Sequence, residues 1–190
     1  MIRRVIAPVL MIAALLLSGC SGEKAFERER QEARSRWQES ESLSFKAEVC
    51  AELNEGVFEC SLRCTFSSGE TVIEILSPES IAGIKARIGE GETRLEYDGI
   101  ILALGDPMLG ESSPLAAMPT IMNSLLKGHV NYMWSETEDD LPLAVWEVYV
   151  DESSSMNLWF ERENYTLMHA ELVSGGRAVV KCKITDFSLS

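Results

Sequence analysis

The sequence predicts a mainly β protein: one sheet of consecutive antiparallel strands, with one helix before it and one inserted into it. Three observations lead there. From Ser44 onward apolar and polar residues alternate with a period of two. The alternating runs are short and are separated by tight-turn residues such as Ser67-Ser68-Gly69 and Gly175-Gly176. Between most of them there is no room for the crossover helix that parallel pairing needs. The chain of 190 residues supports one ordinary domain with a short extension. An apolar fraction of 46% excludes disorder. With 17 Lys and Arg against 30 Asp and Glu, the net charge of −13 argues against a nucleic-acid surface and against adhesion to anionic lipid headgroups.

The first element is a targeting segment. Arg3 and Arg4 precede the apolar run Val5–Leu17, which is too short to span a bilayer as a mature helix. Leu17-Ser18-Gly19-Cys20 follows, small residues ahead of a thiol, and this pattern resembles the bacterial lipobox. The resemblance implies cleavage before Cys20, attachment of a diacylglycerol to its sulfur and often acylation of its amine. An ordinary secretory signal with a chance Cys is the competing reading. Two or three acyl chains, palmitate among them, anchor a protein far more firmly than one. The expected location is therefore extracytoplasmic and membrane-anchored, with residues 1–19 as signal peptide, 20–42 as anchor, tether and start helix, and 43–190 as the β domain.

Phe26, Arg30, Ala33 and Trp37 recur at helical spacing and predict a helix from Lys24 to Glu39 docked by Trp37, with Glu32 and Arg36 as an i, i+4 pair. A solvated tether over the same stretch is the alternative. Strands are then expected at Ser44–Leu53, Phe58–Phe66, Thr71–Leu76 (ended by Pro78), Ile84–Ile88, Thr93–Tyr97 and Ile100–Leu104. A loop, Gly110–Pro114, leads into a helix from Leu115 to Lys127, with Pro119 opening its main part and Gly128 stopping it. An acidic loop, Glu136–Asp140, precedes strands at Leu143–Val150, Asn157–Glu161, Tyr165–Val173 and Arg177–Phe187.

Catalytic chemistry finds little support. His129 and His169 stand alone, without zinc-motif spacing, and no phosphate loop or CxxC occurs. Gly110-Glu111-Ser112 begins like a nucleophile elbow, but Pro114 replaces its second Gly. The acidic run lacks the Gly of a calcium loop. No enzyme activity, metal or cofactor is expected.

Besides Cys20 there are Cys50, Cys60, Cys64 and Cys182, which allow three pairings in an exported protein. Cys60 and Cys64 lie on one face of one strand about 13 Å apart and cannot bond to each other. Cys60, Cys64 and Cys182 fall on apolar faces, and at least two of the four are expected as free, buried thiols.

Ser44-Phe45-Lys46-Ala47-Glu48-Val49, Ile81-Ala82-Gly83-Ile84, Leu95-Glu96-Tyr97-Asp98-Gly99 and a closing strand ending Ile184-Thr185-Asp186-Phe187 follow the lipobox and helix in order. This arrangement, over about residues 35–188, resembles the LolA/LolB/RseB superfamily of bacterial lipoprotein-localisation and lipid-sensing proteins. The resemblance implies a half-open antiparallel β-barrel with a helical lid and an apolar cavity that accepts acyl chains. The lipid anchor departs from soluble LolA carriers and favours a tethered acceptor or sensor. The expected lining is Phe45, Val49, Phe58, Leu62, Ile84, Leu95, Tyr97, Leu102, Met118, Ile121, Met122 and Leu125; a fully packed core with Met filling gaps is the alternative. The expected partners are a lipid or acyl chain and other lipoproteins. A module that docks a protein of the cell envelope is the runner-up.

Overall fold

A computed structural model describes residues 21–53, 56–89, 91–105 and 113–190 of the chain. The signal segment with Cys20, the Asn54-Glu55 turn and Gly110–Ser112 lie outside the described residues. The chain divides into two compact units, Met1–Arg36 and Trp37–Ser190.

Helix α1 (Ser21–Glu39) supplies the described part of the first unit and continues into the second. It is held by its own side chains. Arg30 pairs with Glu27, Gln31 Nε2 donates to the same carboxylate at 3.0 Å, and Arg28 lies 3.8 Å from Glu32. Glu32 thus meets the residue four before it. The tether alternative gives way to a helix that starts three residues ahead of Lys24.

The second unit is one sheet. Its strands are β1 (Ser42–Leu53), β2 (Gly56–Ser67), β3 (Glu70–Ser77), β4 (Lys85–Gly89), β5 (Glu92–Tyr97), β6 (Ile100–Gly105), β7 (His129–Glu138), β8 (Leu141–Tyr149), β9 (Ser154–Glu161), β10 (Leu167–Ser174) and β11 (Arg177–Leu189), with α2 (Pro114–Leu126) between β6 and β7. The order across the sheet is β6-β5-β4-β3-β2-β1-β11-β10-β9-β8-β7. All neighbours are antiparallel, and β6 and β7 form the two open edges. This is the mainly β, unclosed antiparallel architecture that the alternation and the resemblance predicted.

Two meanders, β1–β6 and β7–β11, meet in the sheet where β1 pairs with β11, from Leu43 opposite Leu189 to Ala51 opposite Val180. The segment from β6 to β7 therefore connects one edge of the sheet to the other, and α2 lies on the way, packed over β1, β3 and β9.

Four two-residue turns place both central residues at positive φ: Ser68-Gly69, Asp98-Gly99, Asp139-Asp140 and Gly175-Gly176. That conformation matches the right-handed twist of the strands on either side. The Asp139-Asp140 turn overturns the expected acidic loop. Glu136 and Glu138 belong to β7, an edge strand exposed along most of its length. Helix α2 also begins earlier than expected, at Pro114, where a missing N–H costs little; Pro119 lies inside it.

One face, hereafter the inner face, is buried from β1 to β3 and from β8 to β11 by Phe45, Ala47, Val49, Leu62, Ile73 and Phe160, among others. The alternate residues (Lys46, Glu48, Ser61, Arg63, Lys183) face the other way, the outer face.

Candidate functional site

The inner face divides into a sealed part and an uncovered part. α2 builds the sealed part. Its sequence PLAAMPTIMNSLL turns Met118, Ile121, Met122 and Leu125 to the sheet, and each is at most 1% exposed. Gln38 Nε2 donates to the Leu126 carbonyl at 2.7 Å, which satisfies an acceptor at the helix C-terminus. One wall is an aromatic cluster: Trp146 stands with its ring centroid 4.5 Å from Phe160, 5.7 Å from Trp37 and 5.9 Å from Tyr165. Beneath the helix, Phe45, Val49 and Leu62 are as deeply buried as the helix residues above them.

Seven of the twelve lining candidates thus meet in one place, and there they fill the space themselves: Phe45, Val49, Leu62, Met118, Ile121, Met122 and Leu125. Phe58, Ile84 and Leu95 are half-buried. Tyr97 and Leu102 are 52% and 56% exposed. These last five do not sit under the helix. Leu95 and Leu102 are cross-strand partners, and Tyr97 faces Ile100, so the β4–β6 end of the inner face forms an apolar strip open to solvent. The sequence reading passed over Ile100 (72% exposed) and Leu104. Ile100 to Leu104 is apolar at every position, where a strand with one wet face would alternate.

Three of the thiols, Cys60, Cys64 and Cys182, lie on the sealed side. In one cross-strand row Cys60, Val49 and Cys182 stand side by side on β2, β1 and β11. Two strand spacings separate the cysteines, about 10 Å, beyond the reach of a disulfide. Burial pushes the Cys64 thiol far above its ordinary range and raises Cys60 as well; Cys182 is pushed up to about 12 by burial, with Cys60 and Glu171 adding to it. All four thiols are free, and Cys50 alone lies on the polar face. A thiol reagent at pH 8 is expected to label Cys50 in the folded protein and Cys60, Cys64 and Cys182 only after denaturation. Peptide mapping by mass spectrometry checks this. The raised values have a sign. The folded state holds these protons where the unfolded chain releases them near pH 9, so their contribution is complete below pH 9 and is lost as pH rises toward 12. For the deeply buried Cys64 and Cys182 the loss is about 1.4 kcal/mol per pH unit and thiol across that window.

No protein-family model and no curated protein matches the sequence. Solved structures do match. A conserved protein of uncharacterized function from Thermus thermophilus aligns over 86% of this chain and 87% of its own, at 12% identity and a TM-score of 0.53. A domain assigned to outer membrane lipoprotein sorting, from Vibrio parahaemolyticus, aligns over 86% and 91%, at 12% identity and a TM-score of 0.50. A LolA superfamily protein from Nitrosomonas europaea covers 86% and 93%, at 13% identity and a TM-score of 0.44. At these identities what is shared is the fold.

Proposed function

We propose that this chain, with its LolA-like fold, is a membrane-anchored extracytoplasmic protein that binds an acyl chain, free or attached to a lipoprotein, on the uncovered inner face of β4–β6. The supporting observation is the apolar strip itself. Tyr97, Ile100 and Leu102 are more than half exposed, on the same face that α2 seals a few strands away. Single exposed apolar side chains are ordinary on protein surfaces, whereas a contiguous patch on one sheet face points to a ligand. Burying a methylene contributes about 0.8 kcal/mol, so a sixteen-carbon chain supplies on the order of 10 kcal/mol before ordering costs, without any designed hydrogen bond. No catalytic step is part of this reading, and the role is that of a tethered acceptor or sensor.

Because the strip is outside the packed core, it can be altered without unfolding the protein. Ile100→Asp with Leu102→Asp is expected to weaken binding of a fluorescent sixteen-carbon fatty acid at least tenfold, with circular dichroism and thermal midpoint unchanged. Equal binding by the variant, or none by the parent protein, removes the proposal. The anchor has its own test. Cys20→Ala should release the protein from membranes or leave its signal uncleaved; detergent-dependent membrane association that survives the substitution contradicts lipidation.

A second reading rests on the edge. β6 has no charged residue and no Pro along Ile100–Gly105, the usual guards of an open strand. A partner polypeptide that adds a strand there would pair the open backbone N–H and C=O groups of β6. A polypeptide protecting the β6 amides from hydrogen exchange would favour this reading over a lipid.

A further inference from the structure

Two threonines interrupt the apolar inner face. Thr71 on β3 and Thr93 on β5 are 4% and 1% exposed. They share the cross-strand row Thr71, Ile88, Thr93, and the row beside it is apolar throughout: Ile73, Ala86, Leu95 and Leu102. Among the described residues Thr93 Oγ1 finds no hydrogen-bond partner, although it is shut off from solvent. A buried hydroxyl without a partner costs stability, and valine would fill the same space without that cost. Such groups are uncommon in folded proteins.

The place of this hydroxyl points to a ligand. Residues 93, 95 and 97 share one face of β5, so Thr93 stands at the foot of the apolar strip. At the rise of a strand, Tyr97 lies about 13 Å further along. The ladder beside Thr93 is broken. Thr93 pairs with Gly105 and Arg94 with Ala103, which leaves Leu104 as the extra residue of a β-bulge on β6. A bulge disrupts the pairing locally, here at the free edge of the sheet, and Leu104 is 41% exposed. The hydroxyl therefore sits where the structure next to it yields most readily.

Charge decides the kind of head group. Strands β3 to β6 hold three cations, Lys85, Arg87 and Arg94, at outer-face positions, each beside a carboxylate. Arg94 lies 2.7 Å from Glu92, Arg87 3.5 Å from Glu70 and Lys85 3.8 Å from Glu74. None of the three shares the face of Thr93. An ionised carboxylate brought to Thr93 would be desolvated against a neutral hydroxyl alone. An ester carbonyl loses far less hydration and gains the donor.

We infer that Thr93 fixes the head of the ligand: its hydroxyl donates to the carbonyl oxygen of an uncharged, ester-linked acyl chain whose methylenes run along Leu95, Leu102, Tyr97 and Ile100. This rests on the acyl-binding reading of the strip and adds to it a direction and a preference for esters over free acids.

Competition for a fluorescent sixteen-carbon fatty acid bound to the full chain tests the assignment, with the protein held in CHAPS, a detergent without an alkyl chain. In the unaltered protein, methyl hexadecanoate is expected to displace the probe at a concentration at least about fivefold lower than hexadecane or ionised hexadecanoate. Thr93→Val should bring the ester to the level of hexadecane, change hexadecane less than twofold, and leave the thermal midpoint unchanged or higher. If the probe does not bind, or none of the three displaces it, the acyl reading fails and this inference with it. If all three displace it equally, or hexadecanoate does so best, the strip binds chains without a head site at Thr93, and this inference alone falls. It falls equally if the advantage of the ester persists in Thr93→Val, or if that variant loses ester and hexadecane alike, which marks a structural role. Should Thr93→Val fail to fold, Thr93→Ser and Thr93→Ala decide: the first must keep the preference for the ester and the second must lose it.

Discussion

Trp146→Ala is expected to destabilise the protein by about 3–5 kcal/mol, the range for removing a large aromatic side chain from a packed core. Trp146 is fully buried and touches Trp37, Phe160 and Tyr165. Trp37 belongs to the last turn of α1, and Phe160 and Tyr165 to β9 and the turn after it. Loss of the indole leaves these three rings facing a void that the sheet, fixed by hydrogen bonds on both sides of β8, cannot close. For a domain of this size the shift in thermal midpoint is about 10 °C. Urea denaturation checks the value, with an unchanged slope showing that the same cooperative unit unfolds. A loss below 1 kcal/mol would mean that the cluster is not a packed core. Trp134→Ala, on the outer face of the edge strand β7, should cost much less.

The second large effect is expected at Gly128. Its place between α2 and β7 is set by space rather than by backbone conformation. A Cβ there would stand 2.3 Å from Val148 Cγ1, 2.8 Å from Ser124 Cα and 2.9 Å from the Ser124 carbonyl oxygen. Two of these three atoms are backbone, so a rotamer change cannot relieve the clash, and α2 must lift from the sheet. Gly128→Ala should therefore destabilise by at least the 1–3 kcal/mol typical of overpacking. Val148→Ala added to it should recover only part of the loss. Gly89→Ala, where an added Cβ meets nothing within 4 Å, is the control and should be close to neutral. Thermal midpoints of the three variants distinguish a steric origin from a general effect of glycine replacement.

What was legible in the sequence follows the distance over which each signal acts. Phe45, Ala47, Val49 and Ala51 announce β1 because burial of one face imposes a period of two within a single segment. The hairpins at Ser68-Gly69, Asp98-Gly99 and Gly175-Gly176 were legible because glycine reaches positive φ freely. Asp139-Asp140 makes the same turn without glycine, from residues that tolerate that conformation, and so it read as a loop. β7 was missed for a related reason. As an edge strand with most positions wet, it has no burial to impose alternation. The pairing of β1 with β11 has no local signature at all. The candidate cavity shows the same boundary: Phe45, Leu62, Ile121 and Leu125 were placed on the inner face by period alone. Whether they enclose space or fill it depends on how side-chain volumes from β1, β2 and α2 add up.

The seam between β1 and β11 also has a kinetic consequence. Nearly every other pairing in the sheet closes over a short hairpin, whereas this one joins residues separated by more than a hundred positions. A chain emerging from one end can form the β1–β6 ladder early, but its β1 edge stays unpaired until Arg177–Leu189 arrives. Long-range pairing of this kind is slow because the loop entropy is lost before the contacts form. During that interval the waiting half exposes two open edges, β1 and the apolar β6. A polypeptide threaded across a membrane would pass through this state at every synthesis, and would depend on the last strand, or on a chaperone covering those edges, to escape association with its own copies.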